Sequence, residues 1–171
     1  FTLPFAAGTL YHVAGPRYLA EGSIDAAWPD YYQMDQAGRE AVAKAYQENQ
    51  DYEVLDEIPF WFNGQNFVNK KRNALFACNI ETGEVHRLTE PLFSLDSLAM
   101  VGETAYFLGE AYEAKPSEHS SLWVLEGDAL RCLNPKLPTL GGQLLAVGGK
   151  LLLLGSEGLR HGLNENDYVY T

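Results

Sequence analysis

Residues 98–133 read LAMVGETAYFLGEAYEAKPSEHSSLWVLEGDALRCL. The stretch contains two pairs of short apolar runs, and a turn joins the members of each pair: Gly102-Glu103 in the first and Gly127-Asp128 in the second. Short apolar runs separated by glycine-containing turns indicate antiparallel hairpins. The stretch therefore predicts four consecutive antiparallel strands.

The same arrangement recurs on both sides of this stretch. Before it, a hairpin is predicted around the Asn63-Gly64 turn, and strands are predicted at residues 75–78 and 85–88. After it, strands are predicted at 144–147, 151–154 and 168–170. The third strands of the three rounds start at Leu75, Leu122 and Tyr168, which are 47 and 46 residues apart. A period of this length filled with four short strands is typical of β-propeller blades.

We therefore predict a mainly β fold: a partial β-propeller arc of four-stranded antiparallel blades with an N-terminal helical insertion. Blades are expected over residues 58–90, 95–134 and, incompletely, 143–171. Residues 1–57 are expected to hold one strand and the insertion, whose helix spans 35–50 with Asp35 as its N-cap. Because propellers close with about four to eight blades, this arc is expected to leave open faces where further blades belong.

Composition excludes several classes of partner. The chain has 12 basic and 23 acidic residues, a formal net charge of −11, which would repel nucleic acid. No apolar run approaches the ~20 residues that a membrane-spanning helix needs. The chain has two cysteines without a C-x-x-C motif and no Asn-x-Ser/Thr acceptor, so a cytoplasmic location is expected.

Motifs of catalysis are missing from these 171 residues. The nearest string to a G-x-S-x-G nucleophile elbow is Gly155-Ser156-Glu157-Gly158, whose spacing is wrong. No phosphate-binding loop occurs, and the four histidines do not stand at metal-ligand spacing. We therefore expect no catalytic residue, no cofactor and no metal in this part of a protein.

An acidic run precedes the first predicted blade and consists of Asp51, Glu53, Asp56 and Glu57. One interpretation is a solvated face that leads into the blade. The other is a carboxylate that recognises the free amino group of a substrate through a charge-assisted hydrogen bond.

Several strings resemble the propeller domains of bacterial acylaminoacyl-peptidase-like enzymes, which belong to the prolyl oligopeptidase family of serine peptidases. The most specific is DYEVLDEIPFWFNG at residues 51–64. NKKR at 69–72, IETGEV at 80–85 followed by Leu88-Thr89, and GLNEN at 162–166 followed by Tyr170 continue the likeness. The resemblance covers residues 45–171.

This resemblance implies a parent enzyme in which a propeller sits over a C-terminal α/β-hydrolase domain with a Ser-Asp-His triad. Such an enzyme would remove an acylated or free residue, or a dipeptide, from the N-terminus of a short peptide, and the propeller would limit access. Because the hydrolase domain lies outside the chain, this segment is expected to be non-catalytic. Candidate substrate contacts are Glu53, Glu57, Trp61 and Arg72. The expected partners are the parent's own hydrolase domain, short peptides and, through open blade edges, further copies of the chain.

A different class of function stays open at this point. The doublets Gly141-Gly142 and Gly148-Gly149 resemble those of kelch repeats, which build non-enzymatic propellers that bind proteins. Fold alone does not decide between the two, because propellers host many functions. A hydrolase domain in the same polypeptide would favour the peptidase.

Overall fold

The computed structural model describes residues 1–52, 54–63, 66–156 and 168–171. In chain order the elements are β1 (Ala7–Ala14), β2 (Arg17–Asp25), a 3-10 helix (Tyr31–Gln33), α1 (Gln36–Glu48), β3 (Trp61–Phe62), β4 (Asn66–Phe67), β5 (Lys71–Asn79), β6 (Val85–Arg87), β7 (Phe93–Val101), β8 (Thr104–Ala111), β9 (Ser121–Glu126), β10 (Ala129–Asn134), β11 (Leu140–Val147), β12 (Lys150–Ser156) and β13 (Tyr168–Tyr170). The fold is mainly β, and every strand pair among these residues is antiparallel. The predicted propeller-like arc with one helical insertion is thereby confirmed.

The second and third sheets contain the strands that the repeat predicts. The second sheet has the order β10-β9-β8-β7, so that consecutive strands are neighbours. The third sheet has the order β11-β12-β13 among the described residues. The GLNEN string at 162–166 lies outside the described residues.

The first sheet differs from the prediction in its strand membership. Its order is β1-β2-β5-β6, and the hairpin around Asn63 forms a separate two-stranded sheet of β3 and β4. The Asn63 hairpin exists as predicted, but it is part of an insertion between β2 and β5 rather than the start of a blade. The physical reason is length: β2 pairs with β5 over nine residues, from Arg17↔Asn79 to Asp25↔Lys71, whereas β3 and β4 have two residues each.

Apolar side chains pack between successive layers. Leu19 and Leu75 of the first sheet meet Phe93, Leu95 and Phe107 of the second in one buried cluster. A second buried cluster, with Ala99, Leu108, Leu137 and Leu144, joins the second and third sheets. Because alternate residues of a strand point to opposite faces, each sheet contributes to the layer on either side of it.

The opposite face of the first sheet packs against the N-terminal segment and the insertion. Phe76 of β5 is fully buried there and stacks on Phe5, with ring centroids 4.1 Å apart. Tyr32 of the 3-10 helix meets the Phe76 ring edge-on at 5.1 Å. The expected open face is therefore partly covered on this side of the arc.

The insertion carries the predicted helix. Helix α1 begins after Asp35, whose Oδ1 accepts the Gly38 amide at 2.8 Å, so the predicted N-cap is confirmed. Val42 is the buried residue of the helix, while Ala41 and Tyr46 are exposed. The helix thus buries a single side chain.

Candidate functional site

The four residues proposed from the sequence have different surroundings. Glu53 lies outside the described residues. Trp61 lies on the β3–β4 hairpin and is 50% exposed. Glu57 and Arg72 are brought together, but they are buried, with 4% and 1% of their surface exposed. Direct contact of these residues with a substrate stays a prediction.

Glu57 and Arg72 form a two-pronged ion pair. Arg72 Nη2 donates to Glu57 Oε1 at 2.6 Å, and Nη1 donates to Oε2 at 3.1 Å. The Lys70 amide also donates to Oε2, at 2.7 Å. Such planar, two-bond pairing is the strongest arrangement of an arginine and a carboxylate.

The remaining donors of Arg72 reach three different parts of the backbone. Nη1 donates to the Lys71 carbonyl at 2.9 Å, Nε to the Leu92 carbonyl at 3.2 Å and Nη2 to the Tyr112 carbonyl at 3.1 Å. With the two bonds to Glu57, all five N–H groups of the guanidinium have acceptors. The Tyr112 ring lies 3.7 Å from Arg72 Cζ, in cation–π geometry. Arg72 thus joins the insertion to the first and second sheets.

Beside this pair lies a cavity of about 670 Å³, which we call the interblade recess. Residues of the insertion, of β2, β5, β7 and β8, and of the segment after β8 line it. Its polar lining is Ser23, Lys71, Asn73, Ser94, Asp96, Glu110, Tyr112 and Ser117. The recess is therefore a space of mixed polar and apolar lining at the junction of the first two sheets.

Asp96 enters the recess through a β-bulge. The β7–β8 register shifts between Leu95 and Ser97, which leaves Asp96 as the extra residue of β7. A bulge of this kind re-aims a side chain and is frequent next to binding sites. Its Oδ2 accepts the hydroxyl of Ser120 at 2.6 Å.

Both carboxyls of the recess have raised pKa values. Although Asp96 is exposed as a residue, protein atoms crowd its carboxyl, and this desolvation raises its pKa against the effect of the Ser120 hydrogen bond. For Glu110, desolvation again raises the pKa most and the negative Asp96 adds to it, while the Ser117 amide and Lys136 oppose the shift. A cation between the two carboxyls would relieve this unfavourable charge.

Lys71, the basic residue in the recess lining, is already paired. Its Nζ lies 2.8 Å from Oδ2 of Asp25, a residue that does not line the recess. The recess thus combines two carboxyls under mutual repulsion with hydroxyl and amide groups, a set that suits an amino group of a ligand.

Sequence reasoning did not single out Asp96 or Glu110. A signal for Asp96 exists, because the apolar residues Phe93 and Leu95 alternate and the next, Leu98, comes three positions later instead of two. Such a break in a two-residue period marks an extra residue in a strand. No comparable signal marks Glu110, whose position depends on the pairing of β8 with β7.

The described part of the chain holds no group of three or more His, Cys, Asp or Glu side chains that could bind a metal ion. Among the same residues, no helix combines the length and the apolar character that a membrane crossing requires.

Comparison with known proteins gives matches of structure alone. No protein-family model matches the chain, and no curated protein matches it. An acylaminoacyl peptidase from Pyrococcus horikoshii in an orthorhombic crystal form matches with a TM-score of 0.58 and 17% identity, over 91% of this chain and 22% of that one. The uncomplexed enzyme of the same organism matches with a TM-score of 0.56 and 15% identity, over 96% of this chain and 24% of that one.

A further match is an acylaminoacyl peptidase in complex with Z-Gly-Gly-Phe-chloromethyl ketone, with a TM-score of 0.56 and 16% identity over 91% of this chain and 22% of that one. At these identities the matches show a shared fold. The chain spans less than a quarter of the length of the solved chains that it resembles.

Proposed function

We propose that the chain is a non-catalytic β-propeller segment of a serine peptidase of the prolyl oligopeptidase family. The enzyme would remove acylated or free N-terminal residues, or dipeptides, from short peptides, and the segment would limit substrate access to a hydrolase domain elsewhere in the same polypeptide. The observation that carries the proposal is the likeness of more than nine-tenths of the chain to acylaminoacyl peptidase structures.

The interblade recess supports a role in substrate handling. It lies where the insertion meets the first two sheets, and its two desolvated carboxyls favour a positively charged group. We assign to Asp96 and Glu110 the role that one of the two interpretations gave to the acidic run 51–57, which is to attract the amino group of a peptide. The net charge of −11 attracts the same group at long range.

The structure explains one of the two glycine doublets on which the kelch-like alternative is based. Gly148 and Gly149 have φ values of 57° and 76° and form the tight turn between Val147 and Lys150. A two-residue hairpin turn with two positive φ angles favours glycine at both positions. This glycine doublet therefore has a local explanation and does not need a kelch repeat.

The test is peptidase activity of the longer polypeptide that we propose contains this chain, beside the 171-residue chain alone. N-acetylalanine and alanine p-nitroanilides serve as substrates, with and without a serine-reactive fluorophosphonate. We expect inhibitor-sensitive hydrolysis by the longer polypeptide and none by the chain. A folded longer polypeptide without activity would overturn the proposal and leave a protein-binding scaffold.

A further inference from the structure

A second cavity lies on the other side of the first sheet, between that sheet, the N-terminal segment and α1. Its volume is about 390 Å³, within the range of sites that hold small ligands. We call it the aromatic pocket, because Phe5, Trp28, Tyr31, Tyr32, Tyr46 and Phe76 line it. It shares only Ser23 with the lining of the interblade recess, so the two cavities are separate sites.

The inner wall of the aromatic pocket is held in place by its own packing. Phe5 stacks on Phe76, and Tyr32 meets both rings edge-on, at 6.3 Å and 5.1 Å between centroids. The Tyr32 hydroxyl oxygen accepts the Arg87 amide at 3.2 Å, which fixes this ring to β6. A wall ordered in this way offers a preformed surface to a flat apolar group and keeps the entropic cost of binding low.

One carboxylate, that of Asp25, also lines the aromatic pocket, and its side chain is 17% exposed. Oδ2 accepts the Tyr46 hydroxyl at 2.6 Å and the Lys71 ammonium at 2.8 Å, while Oδ1 accepts the Ala27 amide at 2.8 Å. An ionised carboxylate offers about four acceptor sites. Within the described part of the chain three are used, which leaves Oδ1 one further acceptor site.

The protonation state of Asp25 suits a hydrogen-bond acceptor. Burial raises the pKa of this carboxyl, but its three hydrogen bonds and the positive charge of Lys71 together outweigh burial and lower the pKa. Asp25 is therefore an ionised acceptor at neutral pH. A ligand with an N–H donor would satisfy it, whereas an anionic ligand would meet repulsion from Asp25 and from the net charge of −11.

We propose that the aromatic pocket binds an aromatic ring that carries an N–H donor, such as an indole ring or an arylalkylamine. The ring packs on Phe5, which the fully buried Phe76 and the edge-on Tyr32 hold from behind, and its donor bonds to Asp25 Oδ1. Two sources supply this chemistry: a tryptophan side chain of a peptide or a free arylalkylamine. The inference does not depend on the peptidase proposal, because it concerns a different cavity.

Helix α1 provides a matched pair of variants. Ala43 is exposed at the mouth of the aromatic pocket, and Ala41 is exposed on the same helix outside the lining. Leucine is a strong helix former like alanine, so neither Ala43→Leu nor Ala41→Leu should unfold the helix. Ala43→Leu adds three carbon atoms at the pocket mouth, and Ala41→Leu adds the same atoms elsewhere.

The test is a titration followed in ¹H–¹⁵N spectra of the chain, with N-acetyltryptophanamide, tryptamine and indole-3-acetate as probes. Its three tryptophans give three indole N–H signals, of which Trp28→Phe assigns one and Trp123→Phe a second by loss of the signal. We expect the Trp28 signal to shift saturably with one or both of the first two probes, at a dissociation constant on the order of 1 mM. The Trp123 indole, which donates to the Gly109 carbonyl in the second sheet, should not move.

Binding of N-acetyltryptophanamide would indicate a tryptophan side chain as the ligand, and binding of tryptamine a free arylalkylamine. Indole-3-acetate should bind at least about tenfold more weakly than the tighter of these two probes. Ala43→Leu should weaken binding by about tenfold or more, whereas Ala41→Leu should leave it unchanged. Absence of a saturable Trp28 shift, or equal binding by both variants, would overturn the proposal. Equal affinity for the anionic probe would overturn the part assigned to Asp25.

Discussion

Arg72 is almost fully buried, yet each of its N–H groups finds an acceptor. Burying a guanidinium costs much of its hydration energy, and the arrangement is tolerable because Glu57 supplies the opposite charge. The pair is therefore better described as a device that fixes geometry than as a source of net stability. It fixes the insertion against two sheets, next to the interblade recess.

Removing one partner of this pair should strongly destabilise the fold. We expect Arg72→Met to lower the free energy of unfolding by about 3–5 kcal/mol, because Glu57 would remain buried without its counter-charge. Urea denaturation followed by circular dichroism measures the loss. The double variant Glu57→Gln, Arg72→Met should recover part of it, since no unpaired charge is left.

The control is an ion pair of the same length on the surface. Arg131 Nη2 also lies 2.6 Å from a carboxylate, that of Glu126, but both side chains are more than half exposed. Arg131→Met should therefore change stability little, because water screens such pairs. An Arg72→Met loss as small as that of Arg131→Met would contradict the role given to the buried pair.

The sequence indicates Glu57 and Arg72 as candidate substrate contacts, and that role stays a prediction. The structure shows that the two side chains form one buried ion pair. Their pairing joins positions fifteen residues apart across an irregular segment, and no periodic pattern reports such a contact. The carboxyls of the interblade recess were missed because strand pairing, not local sequence, brings them together.

At the scale of elements, strand spacing predicted the second and third sheets well. Their turns are short and contain glycine, so neighbouring strands in sequence are neighbours in space. The strand membership of the first sheet was predicted wrongly, because 45 residues separate its second and third strands, β2 and β5. The Asn63 hairpin within this gap carries a strong local signal, but it is too short to replace β2, whose Leu19 and Ala20 are fully buried.

The close approach of β7 and β8 at Gly109 gives a prediction for the second sheet. A Cβ at this position would lie 2.5 Å from the Ser94 carbonyl oxygen and 2.6 Å from the Phe93 ring. We expect Gly109→Ala to cost about 1–3 kcal/mol of stability, because backbone and a buried ring must both shift. Thermal unfolding measures the change.

Gly8 of β1 provides the matched comparison. A Cβ there would have ordinary contacts of 3.9 Å with Glu21. Gly8→Ala should be neutral or slightly stabilising, since alanine reduces the entropy of the unfolded chain. Equal destabilisation by the two substitutions would show that the spacing of β7 and β8 is not what requires glycine.

At the scale of the whole molecule, the two ends of the arc differ. The first sheet is partly covered by the N-terminal segment and the insertion. The third sheet instead exposes Leu145, Val147 and Val169, each by at least 39%. An exposed apolar patch on a sheet is typical of an interaction surface. The expected self-association of the chain through such surfaces stays a prediction, as do the hydrolase partner and the cytoplasmic location.

If the arc limits access to a peptidase site, loosening the arc should change how the enzyme selects substrates by size. The measurement compares kcat/KM for an acetylated tripeptide and for an unfolded acetylated protein, using the longer polypeptide with and without Arg72→Met. Because Arg72 fixes the insertion to the arc, we expect this variant to gain activity on the unfolded protein relative to the tripeptide, while Arg131→Met keeps the original ratio. An unchanged ratio in a folded Arg72→Met enzyme would show that the arc does not limit access.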